Sequence, residues 1–255
     1  MERVLLNGID LAYDRRGRGR PLVLVHGYPL DHTIWAPVVP LLEADFDLVL
    51  PDLRGFGESA APAVAYQLTD LAADLAALLD QLGIARAAVV GHSMGGYVAL
   101  AFAGLYPGRV LGLGLVASQA LADPPDRKAM RYQTAGQVDE NGVAEVAASM
   151  PEKLTADPAL QVKLKELILR QAPAAVAAAL RAMAGRPDST PALPGFDFPV
   201  ACIHGLADGL VPVERAREVV AAARDGRLVE IASAGHMPMM EAPGQTAAAL
   251  HLLFL

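Results

Sequence analysis

The sequence predicts an α/β protein with a doubly wound, mostly parallel sheet and an all-helical insertion. Short apolar runs alternate with helical patterns along most of the chain, as they do in βαβ units. Most of these runs are continuous rather than alternating in polarity, which is typical of strands buried on both faces. Between residues 118 and 195 the alternation stops and only helical patterns remain.

The predicted strands follow one another in a regular order. Asn7-Gly8 separates two apolar runs and predicts a hairpin with a primed turn. Later runs predict parallel strands, the last of which is more exposed. These later runs are residues 21–26, 47–51, 87–91, 110–116, 199–204 and 228–232.

The helical predictions rest on apolar spacing and on signals at the helix ends. In the clearest, residues 69–82, leucines recur at helical spacing between Thr69 as N-cap and Gly83 just past the end. The other predicted helices are 94–105, 127–138, 143–150, 157–170, 174–183, 213–223 and 246–254. The chain therefore divides into a first core part (1–117), a helical insertion (118–195) and a second core part (196–255).

Composition narrows the classes of function. A chain of 255 residues with 53% hydrophobic residues can bury one large core. A net charge of −7 argues against a nucleic-acid binder, and the one basic cluster, residues 15–20, is interpreted as a solvated hairpin loop. The single cysteine, Cys202, excludes an intrachain disulfide. No signal-like N-terminal region or apolar stretch of about 18 residues is present, so we expect a cytoplasmic protein without membrane contact.

Gly91-His92-Ser93-Met94-Gly95 has the pattern G-x-S-x-G between a predicted strand and a predicted helix. In this context the motif forms a sharp turn that presents the serine hydroxyl at the carboxyl end of the sheet. Ser93 is therefore the candidate nucleophile. The backbone N–H groups of Met94 and of Tyr28, which follows another predicted strand, are the candidate donors to an oxyanion.

Two further loops supply the candidate acid and base. Asp208 lies in the loop after the strand at 199–204, and His236 lies in the loop after the strand at 228–232. The chain order Ser93, Asp208, His236 is the order of triads in which aspartate orients histidine and histidine activates serine. Asp123, after an earlier strand, is the alternative acid.

These motifs together resemble the α/β-hydrolase fold family over almost the whole chain. The matching motifs are HGYP at 26–29, DLRGFGES at 52–59, GHSMGG at 91–96, HGLADGLVP at 204–212 and GHMPMMEAP at 235–243. The resemblance implies that residues 118–195 form a helical cap and that acyl transfer proceeds without a cofactor. It also supports the assignment of Tyr28 and Met94. Residues 26–35 are similar to a tract in esterase, lactonase and perhydrolase-like members.

The other polar candidates are interpreted as mainly structural. His26, His92, His204 and His251 are expected to pack or to be solvated, whereas His32 is either a solvated loop residue or part of the site mouth. Their spacing predicts no metal site. The loop at 52–59 is expected to brace a turn rather than to supply an acid pair for glycosides or a phosphate cradle. Trp35, Met130, Met150 and Met237 are candidate pocket-lining residues.

The sequence thus predicts a serine hydrolase of small to medium, mostly apolar carboxylic esters or lactones, with acyl chains of about C4 to C8 fitting under the cap. No cofactor is expected, and the partner is the small-molecule substrate. The same triad is also compatible with a cofactor-free perhydrolase or a C–C bond hydrolase. A ligand receptor on the same fold is the non-enzymatic alternative.

Overall fold

A computed structural model describes residues 1–61 and 65–255. Within these residues, eight strands form one sheet: β1 (Glu2–Leu6), β2 (Ile9–Gly17), β3 (Arg20–Val25), β4 (Phe46–Pro51), β5 (Ala87–His92), β6 (Val110–Val116), β7 (Val200–Gly205) and β8 (Gly226–Ile231). Their order is β1-β2-β4-β3-β5-β6-β7-β8. β1 and β2 pair antiparallel, β2 and β4 likewise, and all other neighbours are parallel. The carboxyl ends of six parallel strands, β3 to β8, therefore lie at one edge.

The sequence predicts two turns at the start of the sheet, and the structure confirms the first of them but not the second. Asn7 and Gly8 both have positive φ (49° and 76°), which is the primed turn expected between β1 and β2. The basic cluster at residues 15–20, by contrast, does not lie in a hairpin, because β4 lies between β2 and β3 in the sheet. Gly17 and Gly19 allow this crossing, since a Cβ on either would collide with the backbone of residues 43–46.

Helices cover both faces of the sheet. Those outside the insertion are α1 (Val39–Leu42), α2 (Leu68–Gln81), α3 (Met94–Leu105), α8 (Glu214–Ala222), α9 (Pro238–Glu241) and α10 (Pro243–Phe254). The prediction of Thr69 as the N-cap of α2 is wrong. The helix begins at the buried Leu68, and the backbone N–H of Gln67 donates to the Asp70 carboxylate at 2.7 Å.

Residues 118–195, all of which the structure describes, contain four α-helices: α4 (Pro125–Asn141), α5 (Ala144–Leu154), α6 (Pro158–Leu169) and α7 (Pro173–Gly185). α4 packs against α7, and α5 packs against α6. Most of α7 is buried, so its alanines fill the centre of the insertion. No single helix in the described ranges is long and apolar enough to cross a membrane; α6 and α7 reach that length only together, across a bend of 103°.

The loop after β4 braces this part of the sheet through buried charges. Asp52 accepts hydrogen bonds from the backbone N–H groups of His32 and Glu58, both at 2.9 Å. The Arg54 guanidinium donates two hydrogen bonds of 2.7 Å to Asp74 of α2, and the Asp74 side chain is 1% exposed. This pair holds the loop against α2.

We predict that Asp74→Asn lowers the free energy of unfolding by about 3–5 kcal/mol, because it leaves the Arg54 charge buried without a counter-charge. Urea unfolding of the wild type and variant measures the loss. Asp80→Asn is the matched control, since the Asp80 side chain is 68% exposed and its ion pair with Arg109 lies on the surface. Equal small losses in both variants would contradict a structural role for the buried pair.

Candidate active site

A small cavity lies at the carboxyl edge of the parallel strands, between the sheet and the insertion. Its volume is about 70 Å³. Loops after β3, β5, β7 and β8 form its floor, and helices α4, α5 and α7 form its roof. The lining residues are Tyr28, Ser93, Tyr97, Arg127, Arg131, Met150, Leu154, Met183, Leu210, Val211 and His236. Ser93 and His236 therefore share one cavity.

Ser93 occupies a strained turn between β5 and α3. Its φ of 50° and ψ of −112° lie in a region that residues with a side chain rarely adopt. The turn is closed by direct backbone packing: a Cβ on Gly91 would collide with Gly95, and a Cβ on Gly95 would collide with the Val25 carbonyl oxygen. Ser118 Oγ also donates to the Ser93 carbonyl oxygen at 2.7 Å. The strain is thus held in place by contacts on several sides.

His236 and Asp208 are in direct contact. The distance from His236 Nδ1 to Asp208 Oδ2 is 2.8 Å, and both side chains are almost fully buried. Asp208 Oδ1 accepts from the backbone N–H groups of Leu210 (2.8 Å) and Val211 (3.0 Å). Burial alone would raise the pKa of Asp208, but hydrogen bonds from His204 and His236 hold it well below its usual range. Asp208 is therefore ionised at neutral pH, and Nδ1 is the protonated nitrogen of His236.

Two histidines that the sequence suggested to be merely structural position this pair. His204 Nε2 lies 3.3 Å from Asp208 Oδ2 and 2.7 Å from the Val211 carbonyl oxygen, so its proton faces both acceptors. His92 Nε2 lies 2.8 Å from the His236 carbonyl oxygen. Burial, with the nearby His236, lowers the pKa of His92 to about 3, so the ring is neutral and donates to that oxygen. The sequence signal that could have identified them is their place in the motifs: His92 lies in the same motif as Ser93, and His204 lies in the same motif as Asp208.

Glu241 fixes the loop that carries His236. Its Oε2 accepts from the backbone N–H groups of Gly235 (2.8 Å) and Met237 (3.2 Å). Its Oε1 accepts from Thr155 Oγ1 at 2.6 Å, at the end of α5. This carboxylate joins the histidine loop to the roof, a role that the sequence analysis did not identify.

The two predicted oxyanion donors belong to residues close to Ser93: Met94 follows it in the chain, and Tyr28 lines the same cavity. The backbone N–H groups of Tyr28 and Met94 donate no hydrogen bond to another group within residues 1–61 and 65–255. Met94 opens α3, where an N–H has no partner in its own helix. His26 holds the loop before Tyr28, because its Nε2 accepts from the Leu53 N–H at 2.9 Å. Both amides are thus available to a bound oxygen.

Asp123, the alternative acid, contacts arginines instead of His236. Arg186 Nη2 lies 2.9 Å from Asp123 Oδ1, Arg131 Nε lies 2.5 Å from Oδ2, and Arg127 Nε lies 3.7 Å from Oδ1. Burial would raise the pKa of Asp123, but hydrogen bonds from Arg186 and Arg131 lower it. The geometry therefore favours Asp208 as the carboxylate that orients His236.

Of the four predicted pocket-lining residues, the cavity contains Met150 alone. Met130 is a wrong prediction: its side chain is 58% exposed, because α4 turns Arg127 and Arg131 rather than Met130 toward the cavity. The predictions for Trp35 and Met237 are also wrong, since both side chains are fully buried in the core and neither residue lines the cavity. The cavity is less apolar than the sequence suggested.

Asp31, His32 and Asp52 are the cluster among the described residues that could hold a cation, with ligand atoms within 4.8 Å of one another. Each of the three side chains already has a protein partner. His32 Nδ1 lies 2.7 Å from Asp52 Oδ1, and Asp31 Oδ1 accepts from the Thr33 N–H at 3.0 Å. His32 does not line the cavity at Ser93, so it is not part of the site mouth.

A larger cavity of about 520 Å³ shares Tyr97 with the cavity at Ser93. Its walls include Tyr66, Tyr132 and residues of α7, but neither Ser93 nor His236. Ser93, His236 and Tyr28 all line the smaller cavity, which is therefore the candidate active site.

A sequence model of the alpha/beta hydrolase fold family matches residues 20–243. A pimeloyl-[acyl-carrier protein] methyl ester esterase from Edwardsiella ictaluri is 34% identical over 242 residues, which cover 91% of this chain and 92% of the esterase. A thermophilic esterase from Thermogutta terrifontis, solved with malate bound, is 36% identical and superposes with a TM-score of 0.95 over 99% of this chain and 97% of that chain.

A third relative is a longer protein. The dihydrolipoyllysine-residue acetyltransferase component of an acetoin cleaving system from Pseudomonas putida is 34% identical over 239 residues. The match covers 89% of this chain but only 61% of that relative. The similarity therefore concerns one part of the acetyltransferase component.

We predict that Ser93→Gly is more stable than Ser93→Ala by about 1 kcal/mol. Glycine relieves a backbone strain of about 1–3 kcal/mol and loses about 0.5–1 kcal/mol through its greater freedom in the unfolded chain. Urea unfolding measures the difference. Ser149, an exposed residue inside α5, is the matched control, because Gly there should be less stable than Ala. The same order at both positions would show that the Ser93 turn is not strained.

Proposed function

The chain belongs to the alpha/beta hydrolase fold family, and we propose that it is a serine hydrolase that cleaves small carboxylic esters or lactones through an acyl-enzyme on Ser93. The observation that carries this proposal is that Ser93 and His236 line one cavity while His236 Nδ1 contacts the buried Asp208. The two relatives named as esterases support carboxylic esters as the substrate class. A serine at the turn argues against the aspartate nucleophile of epoxide hydrolases and haloalkane dehalogenases.

In the first half of the reaction, Ser93 Oγ attacks the carbonyl carbon while His236 Nε2 removes the hydroxyl proton. The carbonyl oxygen gains the negative charge and accepts hydrogen bonds from the Tyr28 and Met94 amides, each contributing about 3 kcal/mol. Asp208 stays ionised and stabilises the charged imidazole. The C–O bond then breaks, and His236 gives its proton to the leaving alcohol.

In the second half, water attacks the acyl-enzyme and His236 Nε2 takes its proton. The tetrahedral intermediate collapses, the bond to Ser93 Oγ breaks, and His236 returns its proton to that oxygen. One ester and one water thus yield one alcohol and one acid. The serine is restored, and each proton passes through a single imidazole.

The size of the cavity favours the short end of the expected acyl range. The cavity that contains Ser93 has a volume of about 70 Å³. Typical pockets for drug-sized ligands are several times larger, at about 300–1,000 Å³. We therefore infer that acyl groups of about two to four carbons fit without displacement of the roof.

We predict that Ser93→Ala lowers kcat on p-nitrophenyl acetate by ~10³-fold or more. Asp208→Asn should lower it by ~10⁴-fold, because the His236 tautomer would change. Steady-state kinetics on folded variants, with a fluorophosphonate probe for Ser93, measure both effects. Retention of a tenth of the wild-type rate by Ser93→Ala would contradict the nucleophile. An inactive Asp123→Asn beside an active Asp208→Asn would identify Asp123 as the acid.

A second prediction concerns the roof. Across p-nitrophenyl esters from acetate to palmitate, kcat/KM should be highest at acetate to butyrate. Met150→Ala removes a side chain from the cavity wall and should shift the optimum toward longer chains. Met130→Ala is the matched control, since Met130 lies on the exposed face of α4. A wild-type optimum at palmitate, or equal shifts in the two variants, would place the acyl group elsewhere.

A further inference from the structure

Two arginines of α4, Arg127 and Arg131, line the same cavity as Ser93. They lie one helical turn apart, so both guanidinium groups project from one face of the helix. The Arg131 side chain is 13% exposed and that of Arg127 is 33% exposed. Cationic groups this close to the nucleophile do not contribute to the proposed acyl transfer itself, so they need a separate explanation.

Asp123 does not balance this charge. It is one carboxylate against three arginines, since Arg186 also contacts it at 2.9 Å. Besides this contact, Arg186 donates to the Met183 and Leu121 carbonyl oxygens and packs over the Tyr97 ring at 3.9 Å, and it does not line the cavity. Arg127 and Arg131 approach Asp123 through Nε, and Arg131 Nη1 also donates to the Met183 sulfur at 3.3 Å. Arg131 Nη2 and both terminal nitrogens of Arg127 have no hydrogen-bond partner among the described residues, so they can bind a ligand. The roof therefore carries excess positive charge in a protein whose net charge is −7.

The Tyr28 hydroxyl is an independent sign of a polar ligand. Tyr28 is one of the residues that line the cavity and is 7% exposed, and its hydroxyl has no hydrogen-bond partner among the described residues. The charge of Arg131, another lining residue, acts on this hydroxyl and lowers its pKa against the effect of burial. A buried hydroxyl without a partner costs free energy, so a ligand that accepts its hydrogen bond would be stabilised there. Burial raises the pKa of Tyr28, so the hydroxyl keeps its proton and acts as a donor.

We propose that the substrate of this hydrolase carries a carboxylate, which binds Arg127, Arg131 and the Tyr28 hydroxyl while Ser93 attacks the ester or lactone carbonyl. The proposal rests on the serine hydrolase function proposed above. Planar guanidinium groups match the two oxygens of a carboxylate, and hydrogen bonds to charged groups are the stronger ones. The small cavity limits the linker between the carboxylate and the scissile carbonyl to a few atoms.

The test compares esters that differ only in charge. Monomethyl succinate is paired with methyl succinamate, which carries the charge-free amide on the acyl side. Acetoxyacetate is paired with acetoxyacetamide on the alcohol side. Acid release at constant pH 7.5 gives kcat/KM for each. The wild type should prefer the carboxylate by about tenfold or more in at least one pair.

Variants locate the origin of that preference. Arg127→Gln changes the arginine that is held most loosely by Asp123, and Tyr28→Phe removes a hydroxyl that has no internal partner, so both should fold. Each should lower the charged-to-neutral ratio about tenfold. Lys128→Gln removes a positive charge from the same helix outside the cavity lining and should leave the ratio unchanged. The proposal would be overturned if the wild type did not prefer the charged ester in either pair, or if the charged-to-neutral ratio of kcat/KM were the same in all three variants.

A binding measurement separates this proposal from the proposed function. Succinate, the product of monomethyl succinate hydrolysis, is titrated calorimetrically into the wild type, Arg127→Gln and Lys128→Gln. If no ester is hydrolysed but succinate binds more weakly to Arg127→Gln and not to Lys128→Gln, the anion site is supported and the serine hydrolase function is contradicted. With ester turnover but no difference between the variants in succinate binding or in the ratio, the hydrolase stands and the anion site fails.

Discussion

Close backbone packing at the start of α3 is the constraint on which the rest of the site depends. Gly91 lies against Gly95, and Gly95 lies against the carbonyl oxygens at the end of β3, with no room for a Cβ at either position. The chain can therefore leave β5 only through the strained Ser93 turn. The same contact brings the loop that contains Tyr28 close to Ser93. Backbone packing alone therefore places the Ser93 hydroxyl near the backbone amides of Tyr28 and Met94.

Two buried carboxylates at the cavity have different partners and therefore different consequences. Asp208 is held by histidines and backbone amides, and its charge is directed at His236. Asp123 is held by arginines, and its charge fixes the roof helix α4 to the end of α7 through Arg186. Both pKa values lie below the usual range for a carboxyl group. Each carboxylate therefore stabilises the folded protein above pH about 4, and this contribution to the free energy of unfolding is lost as the pH falls toward the lowered pKa. Protonation of these carboxylates at low pH therefore weakens both the contact of Asp208 with His236 and the contacts that Asp123 makes in the roof.

The sequence predicted the sheet and the triad candidates because both depend on local patterns. Continuous apolar runs mark buried strands, and the loops that follow parallel strands must meet at one edge, which brings Ser93, Asp208 and His236 together. The cavity wall depends on the rotation of α4, which leaves Met130 in solvent and turns Arg131 inward. The sequence pattern of α4 does not show which of two neighbouring residues, Met130 or Arg131, faces the cavity. The crossing of β4 between β2 and β3 likewise depends on long-range pairing rather than on the turn residues.

The roof and the core are joined by buried polar contacts at separate points, and this determines how the cavity can change size. Thr155 at the end of α5 binds Glu241, which also holds the His236 loop. Gln171, between α6 and α7, accepts from the Gly57 N–H at 2.9 Å and lies 3.3 Å from Asp31. Moving the roof as one body would break both contacts and leave buried polar groups unpaired, at about 1–3 kcal/mol each. Side-chain rotation of Met150 or Arg127 breaks neither contact, so the lining itself is the part of this cavity that can adapt to a substrate.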